Sequence, residues 1–437
     1  MDKIRKIIFA TLLALPSHGF SQDTIPLSKK DSWEKAASGN LQRKIAEQEF
    51  SASKAEYRQT NSVFLPTISA SATAISTTNP LMAFGSKLNQ EILTASDFNP
   101  ALLNDPGETQ NFATEFAILQ PLINLDGLYG RQAARAKMQA SELQVLRTTE
   151  HLELEVSKAF MQLQLAYKAI HVLEKAAATG EANLEMVSNY FRQGLLQKTD
   201  VLNARVRVND IANQLQYAKS AVQNASDYLA FLMNEDTKGA IYKPTEELDT
   251  TITIETTSEQ LPGQRKDIQA MERSSEAYQK MLQSAKMGFF PKLNAFGSYQ
   301  LYDRSLFGTG ANGYTAGLQL SWSLFDGYRT IGKTEKAKAD LQRSEIELQQ
   351  YKAQSQLELR KVNRQLKDAE NKVSLSQLAF EQSQEAYRIR QNRFTQGLEK
   401  TTDLLASESQ MIQKELEHLQ AVFEYSLNKR YLQFLTK

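Results

Sequence analysis

The sequence predicts a mainly α-helical chain with a small β part, in which a helix–hairpin–long-helix unit occurs twice. Three observations predict it. The stretch Tyr190-Phe191-Arg192-Gln193-Gly194-Leu195, ending in Asp200, is repeated as Arg393-Phe394-Thr395-Gln396-Gly397-Leu398, ending in Asp403. Glycine and aspartate keep the same offset in both copies, so one structural unit is used twice. Each stretch interrupts a long proline-free helical pattern, and each of those patterns is preceded by a pair of segments with strand-like alternation.

Bulk composition narrows the classes. The 437 residues carry 51 basic and 50 acidic side chains, a balance that argues for no nucleic-acid partner. The absence of cysteine removes disulfides, thiolate metal sites, a thiol nucleophile and a lipid-anchored cysteine together. Residues 1–21 read as a signal peptide: Lys3, Arg5 and Lys6 precede the short apolar run Ile7–Leu15, then Pro16 and small residues. No later segment is a candidate transmembrane helix, so passage through a membrane has to use strands.

The first repeat is expected over 22–243. A helix from about Lys29 to Ser62, with a soft break at Ser38-Gly39-Asn40, ends before Pro66, because the residue before a proline is pushed out of the helical region. A strand at about 64–76 follows, with Ile68, Ala70, Ala72 and Ala74 on one parity. Residues 77–109, with three prolines and no sustained period, read as a long loop. A second strand at about 110–124 is closed by Pro121 and an Asp126-Gly127 turn. Long helices are expected at 128–192 and 199–233. Leu152, Val156, Ala159, Leu163 and Ala166 step by four and three, the seam of a helix packed lengthwise on others.

A polar linker, 244–262, leads to the second repeat, 263–437. Strands are expected at about 291–302 and 314–325, and long helices at 328–394 and 402–436. The last strand alternates most cleanly, with Tyr314, Ala316, Leu318 and Leu320 against Thr315, Gln319 and Ser321. Asp326-Gly327 repeats Asp126-Gly127.

Strands with one apolar and one polar face suit a wall between lipid and water. Backbone groups in lipid must all be paired, and bacterial single-chain barrels start at eight strands. Four strands therefore need other copies of the chain to close a barrel, and Tyr299, Tyr302, Tyr314 and Trp322 are placed for an interfacial aromatic girdle. The alternative is a soluble periplasmic coiled-coil adaptor or scaffold, in which the hairpins sit on a helical body.

These features, with the prolines Pro66 and Pro291 opening each hairpin, Leu125-Asp-Gly and Phe325-Asp-Gly, and the two glycine–leucine–aspartate breaks, resemble the TolC-type outer-membrane efflux channels over nearly the whole mature chain. The resemblance implies a homotrimer in the outer membrane, in contact with its lipid and extending into the periplasm. Each protomer would give four strands to a twelve-stranded barrel and its helices to a periplasmic tunnel. It also implies a passive exit duct for efflux or type I secretion, served by a periplasmic adaptor protein and an inner-membrane pump. The breaks would lie at the periplasmic tip, with Gly194, Leu195, Gly397 and Leu398 as the adaptor contact. Asp200 and Asp403 match acidic positions that close the pore; they are equally readable as helix caps, and the two roles are compatible. Ala406 and Glu399 depart from the family pattern, which leaves Arg192, Arg393 or Lys400 to make the closing salt bridges.

Other motifs carry no chemistry. Gly308-Thr-Gly310-Ala-Asn-Gly313 formally matches a dinucleotide fingerprint but lies between strands and opens no helix. His151, His171 and His418 have no neighbours at metal spacing. No catalytic set stands out, and no cofactor is expected.

Overall fold

The computed structural model describes residues 23–249 and 260–437; the expected signal peptide and the middle of the linker lie outside them. In chain order the elements are β1 (Thr24–Leu27), α1 (Lys29–Gly39), α2 (Leu41–Gln59), β2 (Thr67–Thr77), α3 (Pro80–Asn89), α4 (Pro100–Asn104) and β3 (Thr109–Ile123). Then follow α5 (Leu125–Arg192), α6 (Lys198–Met233), β4 (Ile241–Pro244), α7 (Lys266–Met287), β5 (Lys292–Asp303), β6 (Ala311–Ser321), α8 (Arg329–Thr395) and α9 (Thr401–Leu435). At ~1.5 Å per residue, α5 and α8 are each about 100 Å long.

The chain divides into two compact units, each assembled from both sequence repeats. One comprises Glu47–Val145 and Lys266–Lys352 and holds a four-stranded antiparallel sheet in the order β2-β3-β5-β6. Its register places Ile68 opposite Ile118, Phe116 opposite Tyr299, and Tyr299 opposite Tyr314. Directly opposed residues share a face, so the apolar parities of all four strands merge into one continuous surface. The other face carries Ser71, Glu115, Gln300 and Gly313 along one row, with the pair Leu119 and Phe296 nearer the helices. Among the described residues the outer edges of β2 and β6 have no strand partner.

The other unit comprises Leu146–Arg265, Ala353–Lys437 and the described part of Met1–Ala46. It is a helical body made from α1, α6, α9 and the distal parts of α5 and α8. The predicted seam of α5 is its core: Leu152, Val156, Ala159, Leu163 and Ala166 are buried against Val222, Leu229 and Leu232 of α6. A parallel core joins Leu359, Val362, Leu366, Ala369 and Val373 of α8 to Val422 and Leu432 of α9. Burying one such leucine stabilises by about 1.5–3 kcal/mol.

Four local expectations change. The segment between β2 and β3 is ordered rather than a bare loop. Asn79 and Asn99 cap α3 and α4, each with proline in the first helical turn, where its missing N–H costs nothing. Asp126-Gly127 is not a turn but the first turn of α5, whereas Gly327 and Tyr328 both take positive φ and do turn the chain. Strand β6 is shifted toward the hairpin and stops at Ser321, opposite Lys292. The preceding Pro291 has no N–H to extend the ladder, and Trp322 instead donates its indole N–H to the Phe289 carbonyl at 3.0 Å. Finally, β1 and β4 pair in parallel, a contact between segments too short to show any periodicity.

Candidate functional site

The two repeated stretches meet at one end of the helical body. Tyr190 and Phe394 pack with ring centroids 5.7 Å apart, and the Tyr190 hydroxyl donates to the Thr395 carbonyl at 3.2 Å. Val187, Ala204, Phe394 and Leu404 are buried around them. Each long helix ends in the same way: the Leu195 N–H bonds the Tyr190 carbonyl and the Gly194 N–H that of Phe191, both at 2.9 Å. In α8 the matching bonds run from Leu398 to Arg393 and from Gly397 to Phe394. This double closure needs a left-handed residue after the helix, and Gly194 and Gly397 supply φ values of +77° and +73°. Their leucine neighbours are left bare, Leu195 at 69% and Leu398 at 62% exposed.

The two aspartates part company here. Asp200 sits in the first turn of α6, and its Oδ2 accepts the Gln197 backbone N–H at 3.0 Å, half of a capping box. Asp403 instead lies 3.9 Å from the Arg390 guanidinium. Arg390 and Arg393 both grip Glu399, each at 3.0 Å, and Glu399 keeps only 13% of its side chain exposed. Arg393 thus makes a salt bridge within its own tip, to Glu399. Arg192 bonds Asn189 on its own helix, and Lys400 has no side-chain partner among the described residues.

Arg390 was missed by the sequence reading. The signal was present: counting by four and three from Val373 along α8 reaches Tyr387, Arg390 and Phe394, so a charge occupies a seam position. Deeper in the body Asn183, Arg207, Tyr387 and Glu408, one from each of α5, α6, α8 and α9, form a second polar cluster. Burial pushes the Glu408 carboxyl above its usual range, against the opposing pull of Asn183 and Arg207.

On the sheet, Tyr299 and Tyr314 form a cross-strand pair on the apolar face, and Tyr314 is 83% exposed. Trp322 lies just beyond β6, about 26 Å of extended chain from Tyr314 at ~3.3 Å per residue. Tyr302 does not join them. It stands on the opposite face, opposite Ala113 and Ala311, with its hydroxyl donating to Gln300 at 2.6 Å. Counted by parity, position 302 differs from 299, which the girdle expectation overlooked. Among the described residues no helix is long and apolar enough to cross a membrane, and no group of three or more acidic, histidine or cysteine side chains could hold a metal.

The profile of the outer membrane efflux protein family matches residues 34–235 and 257–435. The chain belongs to that family. An outer membrane efflux protein is an outer-membrane channel component, and the sheet and long helices described above fit that class. VceC, an outer membrane protein of Vibrio cholerae, superposes with a TM-score of 0.79 at 17% identity, over 93% of this chain and 96% of its own. The Campylobacter jejuni CmeC outer membrane channel gives 0.78 at 16% identity, over 93% and 85%. The MtrE outer membrane channel of Neisseria gonorrhoeae in its open state gives 0.76 at 17%, over 93% and 88%. At these identities the likeness is one of fold. No curated protein sequence matches the chain.

Proposed function

We propose that this outer membrane efflux protein is a passive homotrimeric exit duct of a tripartite efflux or type I secretion system. A signal peptide over 1–21 would direct two repeats, 22–243 and 263–437, to the outer membrane, where the apolar face meets lipid. The observation that carries the reading is the sheet: one face is apolar across all four strands, and among the described residues both outer edges are unpaired. An open edge cannot persist in hydrocarbon, so β6 of one copy pairs with β2 of the next, and three copies make twelve strands. A soluble adaptor needs no such face, which disfavours the alternative.

Transport energy comes from an inner-membrane pump reached through a periplasmic adaptor. The bare Leu195 and Leu398 knobs suit the adaptor contact, and the Arg390–Glu399–Asp403 cluster suits a charged closure that opens as the tips part. Threefold repetition turns each Asp403 into a ring that attracts cations. Membrane fractionation combined with planar-bilayer recording tests the reading. A heat-modifiable trimer in the outer membrane that conducts ions is expected; a soluble, non-conducting protein overturns it.

A further inference from the structure

The two hairpins differ in their outer connections. Residues 304–310 join β5 to β6 directly, whereas α3 and α4 lie between β2 and β3. That longer connection is rigidly built. Lys87 pairs with Asp97 at 2.8 Å, Phe84 packs edge-on to Phe98, and Asp97 accepts the Thr94 N–H at 2.7 Å.

It also has a definite side. Gln90, at the end of α3, donates to the Asn111 side chain at 2.8 Å and to the Gln110 carbonyl at 2.9 Å. Asn111 shares its face with Ala113 and Glu115, the polar one. At the mouth of the sheet Thr109, Asn111 and Ala311 are buried on that face, while the intervening Gln110 is exposed. Helix α3 therefore covers the polar face and leaves the lipid-facing side clear.

Ala83, Ser86 and Gln90 form the buried side of α3. At 100° per residue, Leu81 and Leu88 project from the opposite side, 80% and 55% exposed. Among the described residues these leucines are left largely bare, on a helix inside a polar mouth.

We propose that α3 is an outer constriction, in which Leu81 and Leu88 from three copies meet about the threefold axis and close the mouth with an apolar ring. The inference rests on the trimeric reading above. Twelve strands ~4.8 Å apart and tilted ~40° enclose a circle about 24 Å wide. Three helices of ~10 Å diameter packed side by side about the axis span about 22 Å, nearly the whole width of that circle. An apolar ring of this kind excludes water and ions by dewetting. The bond from Gln90 to Asn111 holds each helix against the wall, and its rupture is the opening step.

The cysteine-free chain makes the test direct. Leu88→Cys in outer-membrane trimers, treated with a short thiol-reactive crosslinker, is expected to give covalent dimers, with lipid-facing Leu318→Cys as the negative control. Leu81→Ser/Leu88→Ser and, separately, Gln90→Ala are expected to raise single-channel conductance several-fold while the trimer still migrates intact. Trimers that conduct normally, show no Leu88→Cys crosslink and are unchanged by all three substitutions overturn the constriction and leave the channel reading standing. Absence of any trimer or current from the unaltered chain overturns both.

Discussion

Asn183 on α5 donates its amide to Glu408 on α9 across 2.6 Å, and neither side chain has any exposed surface. Arg207 of α6 lies 3.9 Å from the other carboxylate oxygen, and the Tyr387 hydroxyl of α8 accepts from the same Asn183 amide at 3.1 Å. All four long helices are tied at one point. Because burial raises the Glu408 carboxyl, the folded state holds its proton more tightly than the unfolded chain does. Stability from this group is complete below the ordinary glutamate range and is lost as pH rises through the raised value. The melting temperature of the trimer is expected to rise from neutral to mildly acidic pH, and Glu408→Gln to flatten that rise. Asn183→Ala, which strips a buried partner, is expected to cost about 1–3 kcal/mol.

The aspartates of the two tips are expected to respond differently to the same change. Asp200→Ala removes a capping contact and is expected to lower stability by about 1 kcal/mol, with conductance unaltered. Asp403→Ala and Arg390→Ala loosen the charged closure, and single-channel recording is expected to show higher conductance, with weaker cation selectivity for Asp403→Ala. If Asp403→Ala leaves both quantities unchanged, Asp403 is no gate residue.

Gly194→Ala and Gly397→Ala force a side chain into the left-handed region. Open space surrounds both Cβ positions, so the cost is backbone strain alone, about 1–2 kcal/mol each. Thermal unfolding measures it. Leu195→Asp and Leu398→Asp, by contrast, are expected to leave stability unaltered and to abolish crosslinking to the adaptor.

The sheet's parity is open to a paired substitution. Leu318→Arg places a charge on the lipid face and is expected to cost about 2–4 kcal/mol, blocking accumulation of outer-membrane trimer. Gln319→Arg, one residue on, points the other way and is expected to be tolerated. Equal losses from both would show that the apolar face does not meet lipid.

Much of this was legible because the responsible patterns are long or conformationally strict. The seam of α5 repeats over many turns, and the tip glycines follow from a backbone angle that other residues rarely adopt. The cross-strand pair of Tyr299 and Tyr314 was legible, since both share a parity with the leucines of their strands while Tyr302 does not. Helices α3 and α4 were hidden because Asn-Pro marks a loop as readily as a capped helix start, and each helix is too short to show a period. Glu399 was set aside for differing from the family pattern, yet it is the residue that Arg390 and Arg393 both hold. A local pair of charges one helical turn apart reveals its acceptor only once the chain has bent back.

The pairing of β3 with β5 has a consequence for how the protein is made. Phe116 and Tyr299 are neighbours in the sheet but belong to opposite repeats, so the first hairpin is synthesised long before its partner strand exists. During that interval it presents an unpaired, apolar ribbon, the kind of edge that recruits wrong partners. Even a finished single chain still presents the outer edges of β2 and β6. On the proposed trimeric reading, these edges are expected to need escort until three chains have met.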